Sequence, residues 1–259
     1  MYSGPISHTK RERQAVLDRI VADLQRTYGD RIALVAVYGS MARGDDLPHS
    51  DVELFCILLG DSGINFTREW VYGPGKAEVN ILSEDVARAK AALLDDRWAR
   101  CKGQFLFARH LAGDSILLDE LRDLVSSPTP EAFNAVIKEM IIGELYEWMG
   151  KIRNAQSEGN VGAIPALACF FVEHVAQMLG IAHRRCFTTG AKTLSDSQRL
   201  PRRPSGYDAL CDLVMCGKLN NPQVVADHVE ACWESLAEWS ECEGIALTSD
   251  SFTCPRFTQ

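Results

Sequence analysis

The stretch Val37-Tyr-Gly-Ser-Met-Ala-Arg-Gly-Asp-Asp-Leu-Pro-His-Ser-Asp-Val-Glu-Leu-Phe55 decides the fold. An apolar run from Ile32 to Tyr38 ends in Gly39-Ser40. A short polar turn follows, and a second apolar run opens with two acids one residue apart, Asp51 and Glu53. Side chains alternate along a strand, so Asp51 and Glu53 share one face, about 7 Å apart, while Val52 and Leu54 point the other way into a core. Burying acids costs free energy unless something cationic meets them. Two carboxylates on one rigid face suit magnesium, which takes one or two protein carboxylates and completes its octahedron with water and substrate phosphates. Gly39-Ser40 stands where a strand turns into a helix start. Glycine there lets a phosphate approach the backbone, and the serine hydroxyl and helix N–H groups can hold it. Arg43, one turn on, adds a charge-assisted contact. On this reading the acids hold a metal, the turn holds a triphosphate, and the metal joins the two. Taken alone, the acid pair is better read as an edge strand carrying two solvated carboxylates. The Gly-Ser turn ahead of it turns the reading toward phosphate chemistry.

Outward from this stretch, Thr9-Lys-Arg-Glu12 is a capping-box pattern. Val16, Ile20, Val21 and Leu24 behind it recur at helical spacing, and Gly29 is a natural stop. Val52 to Leu59 reads as a strand. Phe66 to Tyr72 and Lys76 to Leu82 read as two more, separated by the turn signal Gly73-Pro-Gly75. Ser83 is placed to cap a following helix. Texture changes from Asp114. Thr129-Pro-Glu131 opens a long helical pattern to about Gln156. A second helix runs from about Ile164 to His183, and a third opens at Asn221-Pro222 and stops before Gly244. The sequence therefore predicts an α+β chain: a mixed sheet with flanking helices over residues 1–127, then a helical bundle over 128–259.

The chain has 259 residues, enough for one large domain or two small ones with proper cores. No apolar run approaches the ~20 residues of a membrane helix, and the N-terminus lacks the apolar segment of a signal peptide. A cytoplasmic protein that binds neither membrane nor nucleic acid is expected. The net charge of −8 agrees, since nucleic-acid binding normally needs a basic face. Such a charge suits a cationic small substrate, although solubility explains it as well. The nine cysteines are odd in number and scattered, with no Cys-x-x-Cys pair, so they read as reduced thiols. Asn65-Phe-Thr67 matches a glycosylation acceptor that has no meaning without secretion. The histidines show no metal spacing, and His183 reads as a helix-end residue. Trp148, Trp233 and Trp239 read as core or interface.

Gly39-Ser40, ten intervening residues and Asp51-Val-Glu53 resemble the signature of the DNA polymerase β-like nucleotidyltransferase superfamily. A longer ordered series narrows the likeness. Gly4-Pro-Ile, Val37-Tyr-Gly-Ser, Ser50-Asp-Val-Glu53, Glu69-Trp70, Glu78-Val-Asn80, Gly103-Gln-Phe105, Glu144-Leu-Tyr-Glu147, Gly150-Lys-Ile-Arg-Asn154, Phe187-Thr-Thr189 and Ser205-Gly-Tyr-Asp208 resemble the aminoglycoside 4'-O-nucleotidyltransferase (kanamycin nucleotidyltransferase) family. The resemblance spans nearly the whole chain. It implies a nucleotidyltransferase sheet followed by a helical bundle, and a homodimer with each active site near the subunit interface. The implied reaction moves a nucleoside monophosphate, usually AMP from MgATP, to the 4'-hydroxyl of an aminoglycoside and releases pyrophosphate.

The resemblance also assigns roles. Asp51 and Glu53 match the metal-binding acids, and Gly39, Ser40 and Arg43 the triphosphate turn. Glu147 matches the general base that a poorly nucleophilic sugar hydroxyl needs. Glu144, Glu147 and Lys151 share a helix face. Read without the resemblance, Glu147 and Lys151 are an ordinary exposed i,i+4 pair; with it, Lys151 sits near the phosphates and offsets developing charge. Glu69, Glu78 and Glu144 are candidates to line the pocket of a polycationic drug. Glu78 also resembles the superfamily's third carboxylate, so metal and drug binding both stay open for it. Lys76 reaches phosphate or flanks the Gly-Pro-Gly turn. Gln104, Thr188 and Thr189 fall in matching stretches without an assigned role. The chain departs from the family pattern at Met41-Ala42, at Ile142-Gly143 where a further acid is expected, and in the tail after Gly244. These departures bear on drug range rather than on chemistry. Two rival readings remain at this stage: a nucleotidyltransferase with another acceptor (a protein, an RNA end or a different antibiotic), and a non-catalytic nucleotide-binding module.

Overall fold

The computed structural model describes residues 4–60 and 62–248; Cys254 and the end of the tail lie outside them. The chain divides into two compact units, Met1–Thr129 and Pro130–Gln259. The first unit begins with α1 (Lys10–Tyr28), entered through the Thr9/Glu12 capping box and closed at Gly29. Strands β1 (Ile32–Val37), β2 (Val52–Leu58), β3 (Asn65–Tyr72) and β4 (Gly75–Ser83) follow, with the short α2 (Gly39–Arg43) between β1 and β2. Helices α3 (Glu84–Ala92), α4 (Trp98–Cys101) and α5 (Gly103–Leu106) lead to the edge strand β5 (Arg109–Gly113) and to α6 (Ser115–Ser126). The sheet order is β3-β4-β2-β1-β5. Only β2 and β4 run parallel; the other neighbours are antiparallel.

The alternation in β2 is the organising feature. Val52, Leu54, Cys56 and Leu58 join Val35, Val37, Ala77, Val79 and Ile81 in a core under Leu17, Ile20 and Leu24 of α1. Phe55 points to the opposite face, where its ring packs 5.7 Å from Phe105 of α5. Helices α3 and α6 pack on the sheet as well. Ser83 occupies the cap position of α3 but does not cap it with its side chain. Its hydroxyl instead accepts from the Ile64 amide and donates to Asp85, because the β3 start draws it sideways.

The second unit is helical: α7 (Pro130–Glu139), α8 (Tyr146–Ser157), α9 (Ile164–Ala182), α10 (Thr193–Ser197), α11 (Tyr207–Met215) and α12 (Pro222–Cys242). The pattern read as one long helix is α7 and α8 joined by a π-helical segment, Met140–Leu145. Helix α9 is the hub, packing against α7, α8, α10, α11 and α12. Contrary to the sequence reading, the 22-residue stretch Val161–Ala182 has the length and apolarity of a membrane span, but most of it is buried within this unit.

Candidate active site

Strand register brings the acids of the first unit together. Glu53 on β2 is the neighbour of Glu78 on β4, and Glu78 is the neighbour of Glu69 on β3. Adjacent strands lie about 4.8 Å apart, so three carboxylates form one row across the sheet, with Asp51 two residues before Glu53 on the same face. Such a row repels itself unless it is neutralised. Lys76 neutralises one end, with its ammonium 2.8 Å from Glu69 and 3.6 Å from Glu78. The Tyr38 hydroxyl donates to Glu78 Oε1 at 2.6 Å, and Asn80 Nδ2 donates to the same oxygen at 3.0 Å. The hydrogen bond from Lys76 holds Glu69 below the usual carboxylate range.

Glu53 has no such partner. Among the described residues neither Asp51 nor Glu53 forms an ion pair. Burial, reinforced by the Asp51 and Glu78 carboxylates, pushes the Glu53 carboxyl up to about 7, against the opposing pull of Lys76 and Arg43. Burial and the Glu78 carboxylate likewise push the Tyr38 phenol well above its ordinary value, so Tyr38 is a donor here.

Gly39 is required at this point twice over. Its φ of +66° lies in the left-handed region, which costs other residues about 1–2 kcal/mol. An added Cβ would also overlap the Glu53 Oε2 atom and lie 3.0 Å from its Cδ. The glycine therefore lets the Glu53 carboxylate lie against the turn that opens α2. Ser40 sits in that turn, and Arg43 closes it with its guanidinium 3.2 Å from Asp45. Gln104 is on α5 beside Phe105, whose ring packs on Phe55 two residues beyond Glu53.

The loop from Gly44 to Ser50 is pinned by residues that the sequence reading did not single out. Arg13 of α1 is 1% exposed. Its Nε donates to Asp46 Oδ2 at 2.8 Å and its Nη1 to the His8 carbonyl at 2.8 Å. Lys10 donates to the Gly44 carbonyl at 2.9 Å and pairs with Asp46. The signal was available: Arg13 falls on the stripe of Leu17, Ile20 and Leu24, so a charged side chain lies on the buried face of α1. Tyr38 and Asn80 were legible in the same way, since Asn80 follows Glu78 by two on one strand.

In the second unit, Glu147 and Lys151 pair at 2.7 Å on α8, both substantially exposed. Lys151 also lies over the Trp148 ring, 4.2 Å from its centre. Glu144 falls within the π-helical segment, a distortion often found at functional sites. Its carboxylate is 3.6 Å from His174 Nε2. Thr189 precedes a short 3-10 turn, and its carbonyl accepts from Thr193. Thr188 and Thr189 gain no role from this.

Residues 115–246 match the family model described as the KNTase C-terminal domain. Two relatives, each described as aminoglycoside nucleotidyltransferase (4'), come from Staphylococcus aureus and from a Bacillus species. Each is 32% identical over 242 residues, covering 93% of this chain and 95% of the relative. The chain belongs to the aminoglycoside nucleotidyltransferase (4') family.

A solved nucleotidyltransferase-like protein from Exiguobacterium sibiricum shares the fold, with a TM-score of 0.53 at 10% identity over 88% of this chain and 75% of that one. The stretch matched by the family model includes Glu144, Glu147 and Lys151. For an aminoglycoside nucleotidyltransferase (4') family member, a divalent cation beside a triphosphate is the group to test against the residues present. Asp51 and Glu53 fit it. Among the described residues they form no ion pair, and burial first, then the Asp51 and Glu78 carboxylates, raises the Glu53 carboxyl to about 7, an unfavourable charge environment that a cation would relieve. Among the described residues no cluster of three or more metal-ligating side chains occurs.

Proposed function

We propose that this chain is an aminoglycoside resistance enzyme that transfers AMP from MgATP to the 4'-hydroxyl of drugs such as kanamycin, tobramycin and amikacin, with release of pyrophosphate. The observation that carries the reading is the Gly39 turn with the Glu53 carboxylate lying against it and Asp51 on the same face, in a chain of this family. Asp51 and Glu53 would hold magnesium, which when bound offsets phosphate charge. Gly39 leaves the backbone open to close approach, and Ser40, Arg43 and Lys151 contact the triphosphate. Glu147 takes the proton from the 4'-hydroxyl as that oxygen attacks the α-phosphorus. The bond from the α-phosphorus to its bridging oxygen breaks, and pyrophosphate leaves with the electron pair. Catalysis is then mainly positioning and electrostatics.

The drug carries several ammonium groups, and the row of Glu69 and Glu78, with Glu144, complements them. Lys76 already sits between Glu69 and Glu78, which supports a site built to hold an ammonium at that place. Gln104, which falls in a stretch matching the family, is a further candidate for drug binding. The family resemblance supports a homodimer with sites near the subunit interface. The net charge of −8 supports an enzyme that does not bind nucleic acid, and a cytoplasmic location without membrane binding is part of the same reading. The test of the base assignment is Glu147→Gln, with the drug product followed by mass. Turnover should fall about 10²–10⁴-fold while nucleotide binding survives; full turnover in the variant would remove Glu147 from the mechanism.

A further inference from the structure

Glu147 and Lys151 are exposed, and an exposed i,i+4 pair samples many rotamers with little net stabilisation. Here the lysine has a second anchor. Residues three and four apart are neighbours on a helix, so Lys151 adjoins both Trp148 and Glu147. Its ammonium is 4.2 Å from the centre of the Trp148 ring and 2.7 Å from Glu147 Oε1. The indole is itself fixed from α9. The Phe170 ring stacks on it at 5.1 Å with 15° between the planes, and the His174 ring lies 5.8 Å away. The indole Nε1 is buried and finds no hydrogen-bond partner among the described residues, so stacking rather than a hydrogen bond sets the place of the ring. His174 Nδ1 is 2.7 Å from the Phe170 carbonyl, and its Nε2 faces Glu144.

We infer that Trp148, backed by Phe170, is a positioning residue: it holds Lys151 by a cation–π contact and, through Lys151, sets the orientation of the Glu147 carboxylate. The inference rests on the reading of Glu147 as the base and Lys151 as its cationic neighbour. Trp148 touches neither substrate in this account. Its effect reaches the reaction through the fraction of molecules in which the Glu147–Lys151 pair is set for proton transfer.

The test uses the full-length protein with 13C-labelled lysine, and Lys151→Arg to assign the Lys151 resonances. A lysine over an indole carries an upfield ring-current shift on its ε-methylene protons. The shift should be present in the unaltered protein, be retained in Trp148→Phe and vanish in Trp148→Ala. Kinetically, Trp148→Ala should lower kcat about twofold to fivefold, with the drug KM unchanged, as expected for a lost exposed cation–π contact. Trp148→Phe should restore most of kcat, and Phe170→Ala should fall between. An unshifted Lys151 signal in the unaltered protein would overturn the inference, and so would unchanged kcat in a folded Trp148→Ala. Should Trp148→Ala not fold, Phe170→Ala and the resonance position decide. Full turnover by Glu147→Gln alongside a shifted Lys151 signal would instead bring down the base assignment and leave the stack standing, so the two failures are distinguishable.

Discussion

Replacing Gly39 by alanine separates stability from chemistry in this fold. The φ of +66° at Gly39 imposes about 1–2 kcal/mol on any residue with a Cβ. For a chain of this size that is a fall in Tm of roughly 2–8 °C. The new Cβ also overlaps Glu53 Oε2. That atom ends a flexible side chain, so the clash is relieved by moving the carboxylate rather than by unfolding the strand. Displacing a catalytic group by about 1 Å costs on the order of 10²-fold in rate. The control is Gly44→Ala. Gly44 has a φ of +78° but nothing within 4 Å of its added Cβ, so the backbone cost is similar and no carboxylate moves. Thermal unfolding and steady-state kinetics should therefore show two variants of comparable Tm, of which only Gly39→Ala loses about 100-fold in kcat/KM. Should the two variants keep rates within about threefold of each other, the contact between the turn and Glu53 has no bearing on activity and the argument fails.

The Glu53 carboxyl, raised from 4.5 to about 7, binds its proton more tightly folded than unfolded. Its contribution is fully present below pH 4.5 and is lost as pH rises through about 7. Glu53→Gln should thus stabilise the metal-free protein at pH 8 by up to about 3 kcal/mol and leave it unchanged at pH 4.5, read as Tm against pH in EDTA. Equal Tm gains at both pH values would contradict this. Arg13→Met leaves Asp46 buried without its main partner, at a cost of about 3–5 kcal/mol; a fall in Tm under 3 °C would show that Lys10 alone suffices. Asp51→Asn should weaken turnover and raise the magnesium concentration needed for half-maximal rate, and an unaltered magnesium dependence would take Asp51 out of the metal site.

Strand alternation made the acid face readable. Once Val52 and Leu54 were assigned inward, Asp51 and Glu53 had to share the other side. The row from Glu69 through Glu78 to Glu53 was not readable, because it depends on β2 and β4 pairing in parallel, a long-range choice that no local pattern records. Strand β5 escaped notice because five residues, mostly exposed at a sheet edge, carry no alternation. The α1 capping box was visible, yet the buried Arg13 on that helix was passed over because its partner lies 33 residues on, in an irregular loop. The π-helical segment at Met140–Leu145 has no compositional cue. It is set by packing, and the helical spacing either side of it looks continuous.

The central claim is the transfer itself. Pyrophosphate release from MgATP by the purified chain would be measured with kanamycin, with tobramycin, and with an aminoglycoside that lacks the 4'-hydroxyl. The account predicts release that requires a drug and fails with the 4'-deoxy compound. Equal release with all three, or none with any under conditions where ATP binds, would contradict it.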